Sequence, residues 1–226
     1  MQNINNKSID LILSDLPYGA TDCDWDNILP FRPLWEQYER VIKDNGAIVL
    51  FCTQPFTTKL INSNLKKFRY CWYWKKTNIT GGQFAKVQPM RCIEDIAVFY
   101  KSKPTYNPQG LKKLEKPIIS KAGKAEVYKW RGGAVNIQRH TNYPKHLLEF
   151  KNDAARNRLH PTQKPVKLLE YLIKTYTNEG ETVLDNCMGS GSTGAACINT
   201  GRKFIGFELN KKYYSVAVRR IKNNVN

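Results

Sequence analysis

Acid is what this 226-residue chain has little of: 19 Asp and Glu stand against 36 Lys and Arg, a formal net charge of +17. So large an imbalance argues against a cationic partner and for a polyanion, nucleic acid above all. The excess is uneven. Residues 101–160 hold 14 Lys and Arg against 4 Asp and Glu, so about a quarter of the chain carries more than half of it. Histidine is scarce at three, and none stands near a cysteine at metal-ligand spacing. No two of Cys23, Cys52, Cys71, Cys92, Cys187 and Cys197 form a C-x-x-C pair, which argues against zinc and for reduced, mostly buried thiols. No apolar run approaches the roughly 20 residues that span a membrane, and "MQNINNKSID" has no signal-like segment; the expectation is a cytoplasmic protein with no membrane partner.

What is present is a regular alternation. "IDLILSD" reads as a buried strand ending before Pro17. "PFRPLWEQYERVIKDNG" puts Leu34, Trp35, Tyr38, Val41 and Ile42 at helical spacing and predicts a helix closed by Asn45-Gly46. "AIVLFC", "FRYCWYWKK" and "IEDIAVFYK" read as strands, with a short helix in "PFTTKLINSNLKK". The pattern fails from Lys101 to about His160, where prolines and glycines punctuate a basic stretch containing Tyr106, Tyr128, Trp130 and Tyr143. Sixty residues of plain loop would be unusual, so a functional insertion is expected, suited to phosphate contact and base stacking. Helix, strand, helix, strand and helix follow to the C-terminus. The sum is an α/β fold with a largely parallel sheet, in which ligands bind beyond the carboxyl ends of the strands.

Two stretches lie at such ends. The first, "SDLPYG", delivers Asp15, Pro17 and Tyr18 directly after a strand. The second, "DNCMGSGSTG", contains Gly189-x-Gly191-x-x-Gly194, opens a helix, and is followed after the next strand by Glu208. Glycines permit close approach to a ligand, a helix N-terminus offers free N–H groups, and a strand-terminal acid can accept from ribose hydroxyls. An adenosine-containing ligand is implied; NAD and S-adenosylmethionine suit the turn equally well. Upstream, "HPTQKPVKLL" sets Lys164 at the positive end of a helix, an unfavourable place for a cation unless an anion faces it.

Taken together, "DLPYG", the basic insertion, "HPTQKP" and "DNCMGSGST", in that order, resemble the β-group amino-methyltransferases of DNA. These are S-adenosylmethionine-dependent enzymes of phages and restriction–modification systems. The resemblance implies a circularly permuted Rossmann-like methyltransferase sheet with helices on both faces and an inserted target-recognition region. Residues 1–100 would be the catalytic half, 101–160 the recognition insertion and 161–226 the cofactor half. It implies a catalytic pocket of Asp15, Leu16 (through its carbonyl), Pro17 and Tyr18. The cofactor would be met by Asp185, Asn186, Cys187, Gly189, Gly191, Ser192, Thr193 and Glu208, with Thr162 and Lys164 reaching its carboxylate end. DNA would be met by Lys112, Lys113, Lys129, Trp130, Arg131 and Arg139. No metal is expected. Leu16 departs from the proline most common at that position, and the family's usual first short strand, with its Gly-Asp-Cys-like segment, has no counterpart among these residues.

The implied reaction is methyl transfer to the exocyclic N6 amine of a flipped-out adenine in double-stranded DNA. Asp rather than Ser at the first motif position leans that way on family likeness. The alternatives are N4-cytosine methylation, or a catalytically inactive DNA-binding protein on the same scaffold. A nicotinamide dehydrogenase shares the glycine turn but gives no account of "DLPYG" or "HPTQKP". A homodimer and a cognate restriction enzyme are further partners implied by the resemblance alone.

Overall fold

Strand alternation builds the molecule. In the computed structural model, which describes residues 1–19, 23, 26–121, 135–151 and 163–223, successive residues of each central strand enter opposite cores. Strands β1 (Ile9–Asp15) and β2 (Ile42–Cys52) send Leu11, Leu13, Ala47, Val49 and Phe51 to one face, and Ile12, Ile48, Leu50 and Cys52 to the other. Both faces are covered, so these strands read in sequence as unbroken apolar runs. One cover is α1 (Phe31–Val41) with α2 (Phe56–Ser63), contributing Leu34, Trp35, Tyr38, Phe56 and Leu60. On the opposite face lie α3 (Val166–Tyr176) and α4 (Ser192–Asn199). Helix α3 buries Leu168, Leu169, Leu172, Ile173 and Tyr176, each worth roughly 1.5–3 kcal/mol.

The remaining strands of the main sheet are β3 (Phe68–Thr80), β4 (Arg91–Phe99), β7 (Leu147–Glu149), β8 (Thr182–Asp185) and β9 (Lys203–Gly206), and α5 (Lys211–Asn223) closes the described chain. Their order is β7-β3-β4-β2-β1-β8-β9. Every neighbouring pair is parallel except the two made by β4, which runs against both β2 and β3. The sheet therefore has the mixed seven-stranded form with helices on both faces. A strand from the start of the chain, β1, sits at its centre beside β8 from near the end.

The chain divides into two compact units, Met1–Asn107 with His146–Asn226, and Pro108–Lys145. The second unit is an antiparallel pair of β5 (Lys112–Lys121) and β6 (Val135–Thr141), in a stretch that reads in sequence as irregular. Its ladder slips between Lys113 and Ile118, and its apolar side chains stay exposed, so no clean period of two marks it.

Asn45-Gly46 does not end α1. The helix stops at Val41, and Ile42 already pairs with Ile9 of β1; the ladder then jumps to Leu11–Ala47, leaving residues 43–46 as an excursion. Gly46 fits there because a Cβ would come within 2.8 Å of the Asp10 carbonyl. Tertiary pairing with β1 has won over the local stop signal. Among the described residues no helix is long and apolar enough to cross a membrane.

Candidate active site

Strands β1 and β8 are parallel neighbours, with Leu11 opposite Val183 and Ile12 opposite Leu184, so both end on one rim. The two sequence motifs thus meet. The Ser14 hydroxyl donates to Asp185 Oδ1 at 2.8 Å, a buried bond joining residues 171 apart in the chain.

Beyond β1, the Leu16 side chain is buried in the α1/α2 core, and Gly19 turns the chain at φ +65°. The turn is fastened by a residue that sequence reasoning missed. Asp26, itself buried, accepts the backbone N–H groups of Tyr18 at 2.7 Å and Gly19 at 2.9 Å through Oδ1. Its only signal is that "DCDWDN" offers three acids in five residues, and nothing local chooses among them.

The charges converge on Lys164. Its Nζ lies 2.7 Å from Asp15 Oδ2 and 2.8 Å from Glu94 Oε1, and Lys76 Nζ stands 3.6 Å from the other Glu94 oxygen. Tyr18 donates its hydroxyl to Asp15 Oδ1, with Glu94 Oε1 at 3.5 Å, and its ring packs on Phe56 at 5.1 Å between centroids. Lys164 also lies 5.0 Å from the Phe51 ring centroid. Two carboxylates, Glu94 buried and Asp15 partly so, would repel without a cation between them, and a buried ammonium would be costly without both.

The titration behaviour follows. Burial raises the Asp15 carboxyl above its ordinary value, Lys164 opposes the rise, and Glu94 adds to it. Burial disfavours the Lys164 ammonium, but Asp15 and Glu94 outweigh that and hold it firmly protonated. Tyr18 is pushed well up by burial and by the two carboxylates, so its hydroxyl stays a donor. The position of Lys164 suggested an anionic partner, which the resemblance set at the cofactor's carboxylate end; in the structure its Nζ is met by the protein's own pair of acids. Glu94 was read only as part of a strand; the sequence offers the adjacent acids Glu94 and Asp95 before the apolar run of β4, and only the fold shows that Glu94 is the buried one that meets Lys164.

The glycine turn divides its labour. Gly189 (φ +49°) donates its N–H to Glu208 Oε2 at 2.9 Å. Gly191 (φ +76°) caps α4, and a Cβ on it would meet Ala217 of α5 at 2.9 Å. A Cβ on Gly194 would come within 2.4 Å of Ile221, so that glycine serves the packing of α4 on α5.

Several residues expected to face the cofactor are bonded inward. Asp185 accepts from Ser14 and the Cys187 N–H on one oxygen and from Thr193 Oγ1 at 2.7 Å on the other; burial lifts its pKa to about 6. Asn186 Oδ1 accepts from Tyr38 at 2.6 Å, the Ser192 hydroxyl accepts from Arg220 at 2.9 Å, and burial raises the Cys187 thiol far above its usual range. Lys164 is committed to Asp15 and Glu94. Glu208 differs: half-buried at the end of β9, it takes the Gly189 and Asn210 N–H groups and faces no cation among the described residues. That donor set, a strand-end carboxylate beside a helix N-terminus two strands from Asp15, fits an adenosyl ligand.

Thr162 lies outside the described residues, as do Lys129, Trp130 and Arg131 of the basic insertion. Lys112 and Lys113 on β5 and Arg139 on β6 are exposed on the smaller unit.

The DNA methylase family model matches residues 9–219. The chain belongs to that family. This methylase is 31% identical over 244 residues to the type II methyltransferase M.HpaI of Haemophilus parainfluenzae, covering all of this chain and 72% of that protein. It is 28% identical over 249 residues to the DNA adenine methyltransferase YhdJ of Escherichia coli K12, covering 98% and 79%. Its fold is shared with the M1.HpyAVI–SAM complex (TM-score 0.65, 24% identity, 97% and 90% covered) and with the cytosine-N4-specific PvuII DNA methyltransferase (TM-score 0.65, 16%, 100% and 87%). The family is that of the restriction–modification amino-methyltransferases, and S-adenosylmethionine is its cofactor.

Proposed function

We propose that this methylase transfers a methyl group to the N6 amine of adenine in duplex DNA, acting on a base drawn out of the helix. The observation that carries this reading is Asp15: a carboxylate at the sheet rim, gripped by Lys164 and Tyr18, one residue beyond the hydroxyl that reaches Asp185 of the glycine turn.

An exocyclic amine is a poor nucleophile because its lone pair is delocalised into the ring. Asp15 and the Leu16 carbonyl would accept its two hydrogens, favouring a pyramidal nitrogen with a free lone pair. Lys164 opposes the rise that burial and Glu94 impose on Asp15 and so favours its accepting, ionised form, and Tyr18 would hold the base. When bound, S-adenosylmethionine supplies an electrophilic sulfonium methyl. Glu208 would take its ribose hydroxyls, while Gly189, Gly191 and the start of α4 would admit its amino-acid end. Positioning would then supply much of the rate, and Asp15, already accepting one of the amine hydrogens, would take the proton that the methylated nitrogen must shed.

Adenine is chosen over cytosine because an acid, not serine, opens the pocket motif, and YhdJ is an adenine enzyme by its description. Residues 1–100 would serve catalysis, 101–160 target recognition and 161–226 the cofactor. A homodimer and a cognate restriction enzyme join this proposal on family likeness alone.

The test is incubation with labelled S-adenosylmethionine and mixed-sequence DNA, followed by digestion to nucleosides. N6-methyladenine is expected; N4-methylcytosine as the labelled product refutes the adenine assignment. Asp15→Ala should abolish transfer while calorimetric binding of the cofactor stays close to wild type, and undiminished turnover in that variant removes Asp15 from the mechanism.

A further inference from the structure

Across the sheet, Asp15 is level with Phe51, Phe51 with Ile96, and Ile96 with Trp72. Strands β3 and β4 do not stop at that line. They continue as a two-stranded arm, still paired at Thr80–Arg91 and tipped by a 3₁₀ turn at Gly82–Phe84. On the β4 side five residues separate Ile96 from Arg91, so the arm rises roughly 16 Å above the level of Asp15, at about 3.3 Å per residue. Glu94, which meets Lys164 and Lys76, stands at its root.

The composition of the arm is unusual for a free hairpin. From Lys75 to Ile93 there is no acid, but there are four cations: Lys75, Lys76, Lys86 and Arg91. Lys75 and Lys76 pair with Glu149 and Glu94, whereas Lys86 and Arg91 form no ion pair among the described residues. Ile79, Phe84, Val87 and Met90 are exposed, Val87 by 82%, without a core to enter. The tip is nevertheless ordered: Phe84 and Val87 donate their backbone N–H groups to Gly81 and Phe84, as in successive turns.

We infer that this arm is a second DNA-contacting element, a β-ribbon that enters the major groove beside the target base. The inference rests on the DNA-methylating reading above. Three observations favour duplex DNA as the occupant. A major groove accepts a two-stranded ribbon and is about 8.5 Å deep, less than the height of the arm. The uncompensated charge is of the sign that phosphates require. The arm also springs from the pocket wall, so a duplex that presents a base to Asp15 cannot avoid it. Lys86 and Arg91 contact phosphates, and Phe84 and Val87 face the stack that the departing base disrupts.

Two double variants of the full chain test this, since all four side chains are exposed and leave the core intact. K86A/R91A should weaken binding to mixed-sequence duplex and flatten the dependence of log K on log salt by about 1.8, the loss of two phosphate contacts. F84A/V87A should keep that slope and lower kcat/KM for methylation at least tenfold, with loss restored on a substrate mismatched at the methylated position. Wild-type slope in the first variant and wild-type kcat/KM in the second overturn the inference. So does a change in sedimentation of F84A/V87A from dimer to monomer without any effect on DNA, which would make the arm a contact between copies. Because the slope needs no turnover, a protein that binds DNA but methylates nothing would sink the functional reading and leave the arm still decidable.

Discussion

Replacing Glu94 by Gln removes one charge from the pocket while nearly preserving its volume. Asp15 Oδ2 and Glu94 Oε1 both lie within 2.8 Å of the same lysine nitrogen, so they are at most about 5.5 Å apart. Two unit charges at that distance repel by about 3 kcal/mol at an effective dielectric of 20. Since about 5.5 Å is the largest separation the two contacts allow, that is the least the bare pair repels at this dielectric. The sign is set by two effects that agree. Without Glu94 the negative potential on Asp15 falls, and the Lys164 ammonium is no longer shared, so both changes lower the Asp15 pKa. In the proposed mechanism the ionised carboxylate is the hydrogen-bond acceptor, so the acid limb of the rate should move to lower pH. The assay is kcat/KM for labelled methyl transfer from about pH 5 to 8, wild type against Glu94→Gln. An acid limb that stays in place, or moves upward, refutes the coupling of Asp15 to Glu94 through Lys164.

Two further outcomes follow from the same geometry. Asp26→Ala leaves the Tyr18 and Gly19 N–H groups without their acceptor, which costs about 1–3 kcal/mol; a lowered Tm together with severe loss of methylation is expected, and an unchanged Tm would contradict the fastening role. Gly194→Ala forces a methyl group into Ile221 and should destabilise by about 1–3 kcal/mol in urea titration, with α5 loosened first in hydrogen exchange; a wild-type midpoint would show that α5 can simply move away.

Much of the framework was legible because local physics wrote it. "IDLILSD" and "AIVLFC" read as buried strands since both sheet faces are covered, and Leu34, Trp35, Tyr38 and Val41 read as a helix face since the helix has one apolar side. The β5/β6 pair was illegible for the opposite reason: its apolar residues meet no core, so its pattern carries no period.

The site was legible only in its parts. By itself the sequence determined that an acid, an aromatic ring and a glycine turn would stand at strand ends, because strand, turn and helix signals act over a few residues. It also suggested that a cation just before α3 faces an anion. Which anion was decided by the tertiary structure, since the β3–β4 hairpin brings Glu94 to Lys164 from 70 residues away, and burial makes that pairing obligatory. The same folding turned Asp185, Ser192 and Thr193 inward and left Glu208 at the rim. Hydrogen-bond partners are a property of the folded neighbourhood, and no spacing in the chain specifies them.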